Sequence, residues 1–210
     1  MTAVKICGLT NLADARWAWK CGADLLGFIL VPSSKRYVTA KKAAAVVTAL
    51  RAEGCTAQYV GVFADRDLRV VDETAELCGF DYAQLHSLDE TASLSESHTP
   101  VVIAHRVRGT LDWSVITRLP AWAYLLDSYK PGQLGGTGES WQWSLIGQGR
   151  PETARLILAG GLTPENVPQA IRQIRPWGVD VATGTECCPG HKDPDKVARF
   201  ISTVREEDQR

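Results

Sequence analysis

The chain has 210 residues, 45% apolar and 22% charged, proportions typical of a soluble globular protein with one sizeable core. A formal net charge of −1 gives no global field to attract nucleic acid or an anionic membrane, so any anionic ligand must be held locally. No apolar run is long enough for a bilayer and no secretion-type leader opens the sequence, so a cytoplasmic protein without membrane or nucleic-acid partners is expected.

Short apolar or β-branched runs alternate with segments of helical periodicity. Residues 4–7 predict a first strand and 11–20 a helix, with Asn11 suited to capping it and Gly22 just beyond its end. Strand 25–30 leads to helix 39–52, opened by Thr39, then strand 57–63 to helix 67–78 and strand 82–85 to helix 88–96. Strand 101–104 precedes helix 111–119, and strand 123–126 precedes a helix at about 139–147. The last two units are strand 156–159 with helix 164–174, opened by Thr163, and strand 178–181 with helix 194–204.

Continuous apolar strands separated by helices indicate parallel pairing with both sheet faces covered. Eight such units predict an α/β protein with a single (β/α)8 TIM barrel spanning residues 1–210. A doubly wound open sheet is the rival, but no Gly-x-Gly-x-x-Gly turn follows the first strand, and no Walker-type loop is present.

Barrel active sites lie at the C-terminal ends of the strands. Cys7, in Lys5-Ile6-Cys7-Gly8-Leu9-Thr10, ends the first strand at a glycine turn, either as a small buried hydrophobe or as a reactive thiol. Arg36 follows the second strand, as a solvated loop cation or a contact for an anion. His86 ends the fourth, as a substrate hydrogen-bonding group or a partner for nearby backbone. Asp127 ends the sixth, delivering a carboxyl group to the barrel mouth or capping a loop, and Gly135-Gly136-Thr137-Gly138 after it is a flap or a flexible turn. Gly160 and Gly161 after the seventh strand, with Thr183 and Gly184 after the eighth, offer backbone N–H groups and helix N-termini to a phosphate.

The six cysteines show no C-x-x-C pair and no zinc-ligand spacing, and the adjacent Cys187 and Cys188 are poorly placed to bridge each other. Reduced thiols and no metal are expected.

Together these strand ends resemble the phosphoribosylanthranilate isomerase family of tryptophan biosynthesis. The resemblance runs through residues 5–10, 27–36, 60–63, 84–86, 126–128 with 135–138, 159–167, and 178–186 with 189–193. It implies an aldose–ketose isomerase performing the Amadori rearrangement of N-(5-phosphoribosyl)anthranilate. Cys7 is then the general base and Asp127 the general acid. Arg36 faces the anthranilate carboxylate and Asp180 contacts the sugar. The substrate iminium is the electron sink, so no cofactor is implied. The implied partner is a small phosphosugar–anthranilate, and the chain is a monomer or homodimer. The acid needs a raised pKa or a proton supplied on binding. The base needs thiolate character from Lys5, Arg36 or a helix N-terminus.

Three positions depart from the family's usual pattern. Ser33-Ser34-Lys35-Arg36 lacks a proline before the arginine, Ser87 stands where glycine is usual, and Ala182-Thr183-Gly184-Thr185 replaces a Ser-Ser-Gly-Val pattern. They bear on substrate affinity more than on reaction type. The rivals are the related histidine-pathway isomerase, or an enzyme using both substrates, and a phosphosugar-binding barrel without turnover. Cys7 in place of an aspartate and the absence of a half-barrel repeat argue against the first two. The Cys7/Asp127 pair argues against the last.

Overall fold

The computed structural model describes residues 1–64, 67–86, 93–107, 111–127, 146 and 149–210. Eight parallel strands close into a barrel in chain order: β1 (Ala3–Cys7), β2 (Leu25–Ile29), β3 (Gln58–Phe63), β4 (Tyr82–His86), β5 (Val101–Arg106), β6 (Ala123–Asp127), β7 (Leu156–Ala159) and β8 (Gly178–Val181). Closure is made by β1 against β8, with Lys5 opposite Asp180. The α/β barrel expected from the alternating apolar runs is the observed architecture.

The described helices are α1 (Leu12–Lys20), α2 (Ala40–Ala52), α3 (Leu68–Cys78), α4 (Trp113–Ile116), α5 (Val167–Ile174) and α6 (Pro194–Glu207). Asn11 and Thr39 cap α1 and α2 by accepting from the N–H groups of Asp14 and Lys42. Two helices are shorter than their sequence periodicity. The hydroxyl of Thr117 bonds back to the carbonyl of Trp113, and Pro120 follows, so α4 stops early. Thr163 caps a turn rather than α5, accepting from the N–H of Glu165, and the helix begins only at Val167. Of the expected helix at 88–96 only a 3-10 turn, Leu94–Glu96, falls among the described residues. The expected helix at 139–147 lies outside them except for Ile146, as do Ser87 and the 135–138 glycine segment.

Strand alternation divides the apolar side chains into two cores. Val4, Ile6, Leu26, Phe28, Leu85 and Leu126 face outward and pack beneath the helices. Leu25, Val60, Tyr82, Val102, Leu125 and Ile157 fill the barrel interior. The same alternation turns Lys5, Cys7, Gln84, His86, Asp127 and Asp180 inward, above that plug. Three strands also run one or two residues beyond their apolar stretch, making His86, Arg106 and Asp127 strand residues held by the ladder.

Candidate active site

Cys7 closes β1 and is 5% exposed. Space for it comes from Gly27 on the neighbouring strand, where an added Cβ would stand 2.9 Å from the thiol sulfur. The N–H groups of Gly8 and Leu9 both donate to the carbonyl of Gly27, which fixes the turn at the strand end. Gly8 has φ +80°, and a Cβ there would come within 2.6 Å of Arg36 Cδ. The two glycines therefore admit the thiol on one side and the arginine stem on the other.

Below the thiol, Lys5 Nζ donates to Asp180 Oδ1 at 2.9 Å, with both side chains almost fully buried. Burial disfavours the Lys5 ammonium, but Asp180 and Cys7 outweigh it and hold the pKa above its usual value. For Cys7 burial is the largest influence and raises the pKa. Lys5 and Lys192 pull it down and Asp180 adds to the rise, leaving it above an ordinary thiol. The cations expected to favour a thiolate are thus beside it, and burial exceeds them.

On the far side of the mouth Asp127 ends β6 opposite Arg106 of β5. His86 ends β4, with its Nε2 3.5 Å from the amide nitrogen of Gln84. Burial lowers the His86 pKa, and Lys5 and Arg106 lower it further, so the ring is neutral near pH 7.

Arg36 is not a solvated loop cation. Its Nε and Nη2 donate to the two carboxylate oxygens of Glu186 at 2.7 and 2.6 Å, and Nη2 also reaches Thr183 Oγ1 at 3.1 Å. The missing proline is offset by Ser34, whose hydroxyl accepts from the N–H of Arg36 and whose carbonyl accepts from the N–H of Tyr37.

The β7 and β8 turns meet closely. Gly160 and Gly161 both have positive φ, and a Cβ on Gly184 would lie 2.0 Å from the carbonyl oxygen of Leu162. Asn166 braces the first turn by donating to the carbonyl of Gly161 and accepting from the N–H of Thr163. The second is a 3-10 turn, Thr183–Thr185, whose preceding carbonyl, Ala182, accepts from Lys192 Nζ and Thr185 Oγ1. Main-chain and threonine contacts thus shape the turn despite the Ala182 substitution. Among the described residues no group of three His, Cys, Asp or Glu side chains is arranged to hold a metal.

Such a mouth has a buried thiol and a carboxyl group on separate strands, an arginine above them and two glycine turns at the β7–β8 end. The family model for N-(5'phosphoribosyl)anthranilate (PRA) isomerase matches residues 4–203. The chain belongs to the PRA isomerase family. An N-(5'-phosphoribosyl)anthranilate isomerase from Geobacter sp. (strain M21) is 42% identical over 205 residues, covering 98% of each chain. The crystal structure of phosphoribosyl anthranilate isomerase from Thermotoga maritima is similar with a TM-score of 0.83 at 33% identity, covering 98% of this chain and 100% of that one. A family structure in complex with reduced 1-(o-carboxyphenylamino)-1-deoxyribulose 5-phosphate has a TM-score of 0.80 at 31% identity, with 98% and 100% coverage.

Every residue singled out at a strand end of this chain lies at the same end of the barrel. Lys5 joins Cys7 to Asp180, Arg36 joins Glu186 to Thr183, and Lys192 acts on both Cys7 and Glu186, whereas His86 and Asp127 stand on the β4–β6 side. Sequence reasoning missed Glu186 and Lys192. Both lie in a small hairpin of β9 (Glu186–Cys188) and β10 (His191–Lys192), signalled only by the Pro189-Gly190 turn between them.

Proposed function

We propose that this chain isomerises N-(5'-phosphoribosyl)anthranilate to 1-(2-carboxyphenylamino)-1-deoxyribulose 5-phosphate, with Cys7 and Asp127 as its base and acid. Supporting this reading is one observation above all: a thiol and a carboxyl group, on β1 and β6, face into the same barrel mouth beneath an oriented arginine. The phosphate rests on the β7 and β8 turns, at Gly160, Gly161, Thr183 and Gly184. The anthranilate carboxylate lies toward Arg36, and the sugar spans Asp180 and His86.

Asp127 gives its proton to the furanose ring oxygen. The C1′–O bond breaks, and the nitrogen lone pair forms a C1′ iminium ion. Cys7, as thiolate, takes the proton from C2′, and the electrons of that C–H bond flow to the iminium to give an enolamine. Tautomerisation yields the ketone, so atoms and electrons balance without an external oxidant or reductant. His86, neutral at the working pH, exchanges hydrogen bonds with the sugar instead of adding charge. Asp180, fixed by Lys5, accepts from a sugar hydroxyl. The Cys7 thiolate forms more readily once the substrate's positive iminium is beside it, because that charge opposes the effect of burial.

The test is turnover by the purified protein of phosphoribosylanthranilate generated in place from anthranilate and phosphoribosyl pyrophosphate. Conversion to the carboxyphenylamino-deoxyribulose phosphate is expected. Absence of conversion, with turnover of the histidine-pathway aminoaldose instead, would overturn the substrate assignment.

A further inference from the structure

Glu186 belongs to neither of the catalytic groups just proposed, yet two of the cations around Cys7 converge on it. Its side chain is 3% exposed. It accepts both bonds of the Arg36 fork, stands 3.5 Å from Lys192 Nζ, and receives the N–H of Gly190 at 3.3 Å. Burial disfavours its charged form, but Arg36 and Lys192 outweigh that and keep it a carboxylate.

A guanidinium is a rigid planar fork, so fixing one edge fixes the direction of the rest. Glu186 takes the Nε/Nη2 edge, Thr183 takes a second bond from Nη2, and among the described residues nothing meets Nη1. Gly8 forms the floor under the arginine stem, since no side chain fits there. Nη1 is therefore the end left for a carboxylate from outside.

We infer that Glu186 is a positioning residue that aims the Nη1 end of Arg36 at the substrate carboxylate and ties that end of the site to the phosphate turn. The inference rests on the substrate reading above. Glu186 touches no reacting atom, so its effect belongs to substrate binding. A glutamine there would keep one acceptor and set an NH2 group against the guanidinium N–H donors, turning Arg36 away from its line.

A double-mutant cycle with steady-state kinetics tests this, using the full chain as wild type, Glu186→Gln, Arg36→Met and the double variant. Glu186→Gln should raise KM by ~10–100-fold, the scale of a lost charge-assisted contact, with kcat within about threefold. The double variant should match Arg36→Met alone, because a residue acting through Arg36 has nothing to act on once it is gone. Glu186→Asp, which keeps the charge one methylene short, should fall between wild type and Glu186→Gln. It also carries the cycle if Glu186→Gln does not fold. An unchanged KM, or additive losses in the double variant, overturns the positioning role. A wild type without turnover overturns the substrate reading beneath it, so the two failures are distinct.

Discussion

Gly27 on β2 and the thiol of Cys7 on β1 are in steric register: a methyl group on Gly27 would stand 2.9 Å from the sulfur and 3.2 Å from Lys5 Cε. The two residues are paired across the strands, so neither backbone can retreat without disturbing the barrel. The absent side chain of Gly27 thus sets the position of Cys7. Gly27→Ala should lose at least about tenfold in kcat/KM and about 1–3 kcal/mol of stability, the usual result of overpacking. Kinetics with denaturant unfolding checks both, and wild-type kinetics in a stable variant would show that the thiol's position is set elsewhere.

The pH dependence follows from the burial of Cys7. A base held above its ordinary thiol value is largely protonated near pH 7, and its active fraction grows as pH rises. With the proton that Asp127 delivers supplied on substrate binding, the acidic limb of kcat/KM is set by Cys7 alone and should climb about tenfold per pH unit, levelling off only above about 8.5, the ordinary thiol value. His86 does not add to the rise above about pH 7, because burial holds its pKa below the ordinary value of about 6.5. A plateau already reached at pH 6 would mean that the thiolate is not the base, or that the charges around it dominate its burial.

Lys5 and Asp180 form a buried pair whose members depend on each other. Lys5→Met leaves Asp180 charged and unpaired, and should cost about 3–5 kcal/mol in denaturant unfolding. Replacing both, as Lys5→Met with Asp180→Leu, should recover most of that stability while activity stays low. Recovery of activity together with stability would show that the pair serves the fold alone.

The β7 and β8 turns press together at Gly184, leaving no room for a side chain against the Leu162 carbonyl. Gly184→Ala should part the turns and weaken inorganic phosphate as a competitive inhibitor by roughly tenfold, the order of one lost hydrogen bond. Inhibition by phosphate measured on the wild type and the variant decides this, and equal inhibition constants would place the phosphate elsewhere.

The strands were legible because each is a short apolar run set off by polar or glycine-rich segments, and Asn11 and Thr39 marked helix starts by their side-chain oxygens. Thr163 carried the same signal and misled. Asn166, which ties down the turn through Gly161 and Thr163, delays the helix, and that competition is visible only in three dimensions. Candidate site residues at strand ends were legible because the barrel gathers those ends. Glu186 and Lys192 were not, since a charged residue in a loop looks solvated until its partner is known, and Arg36 is 150 residues away from Glu186. Lys5 was named only as a neighbour of Cys7, while its partner Asp180 lies 175 residues along the chain.

The most direct measurement is the loss of phosphoribosylanthranilate fluorescence on adding wild-type protein or Cys7→Ala at equal concentration. Fluorescence should fall with the wild type, and the rate with Cys7→Ala should be at least ~100-fold lower, the scale for removing a general base. A variant that turns substrate over at close to the wild-type rate would contradict the central claim, that the thiol closing β1 is the base of this isomerisation.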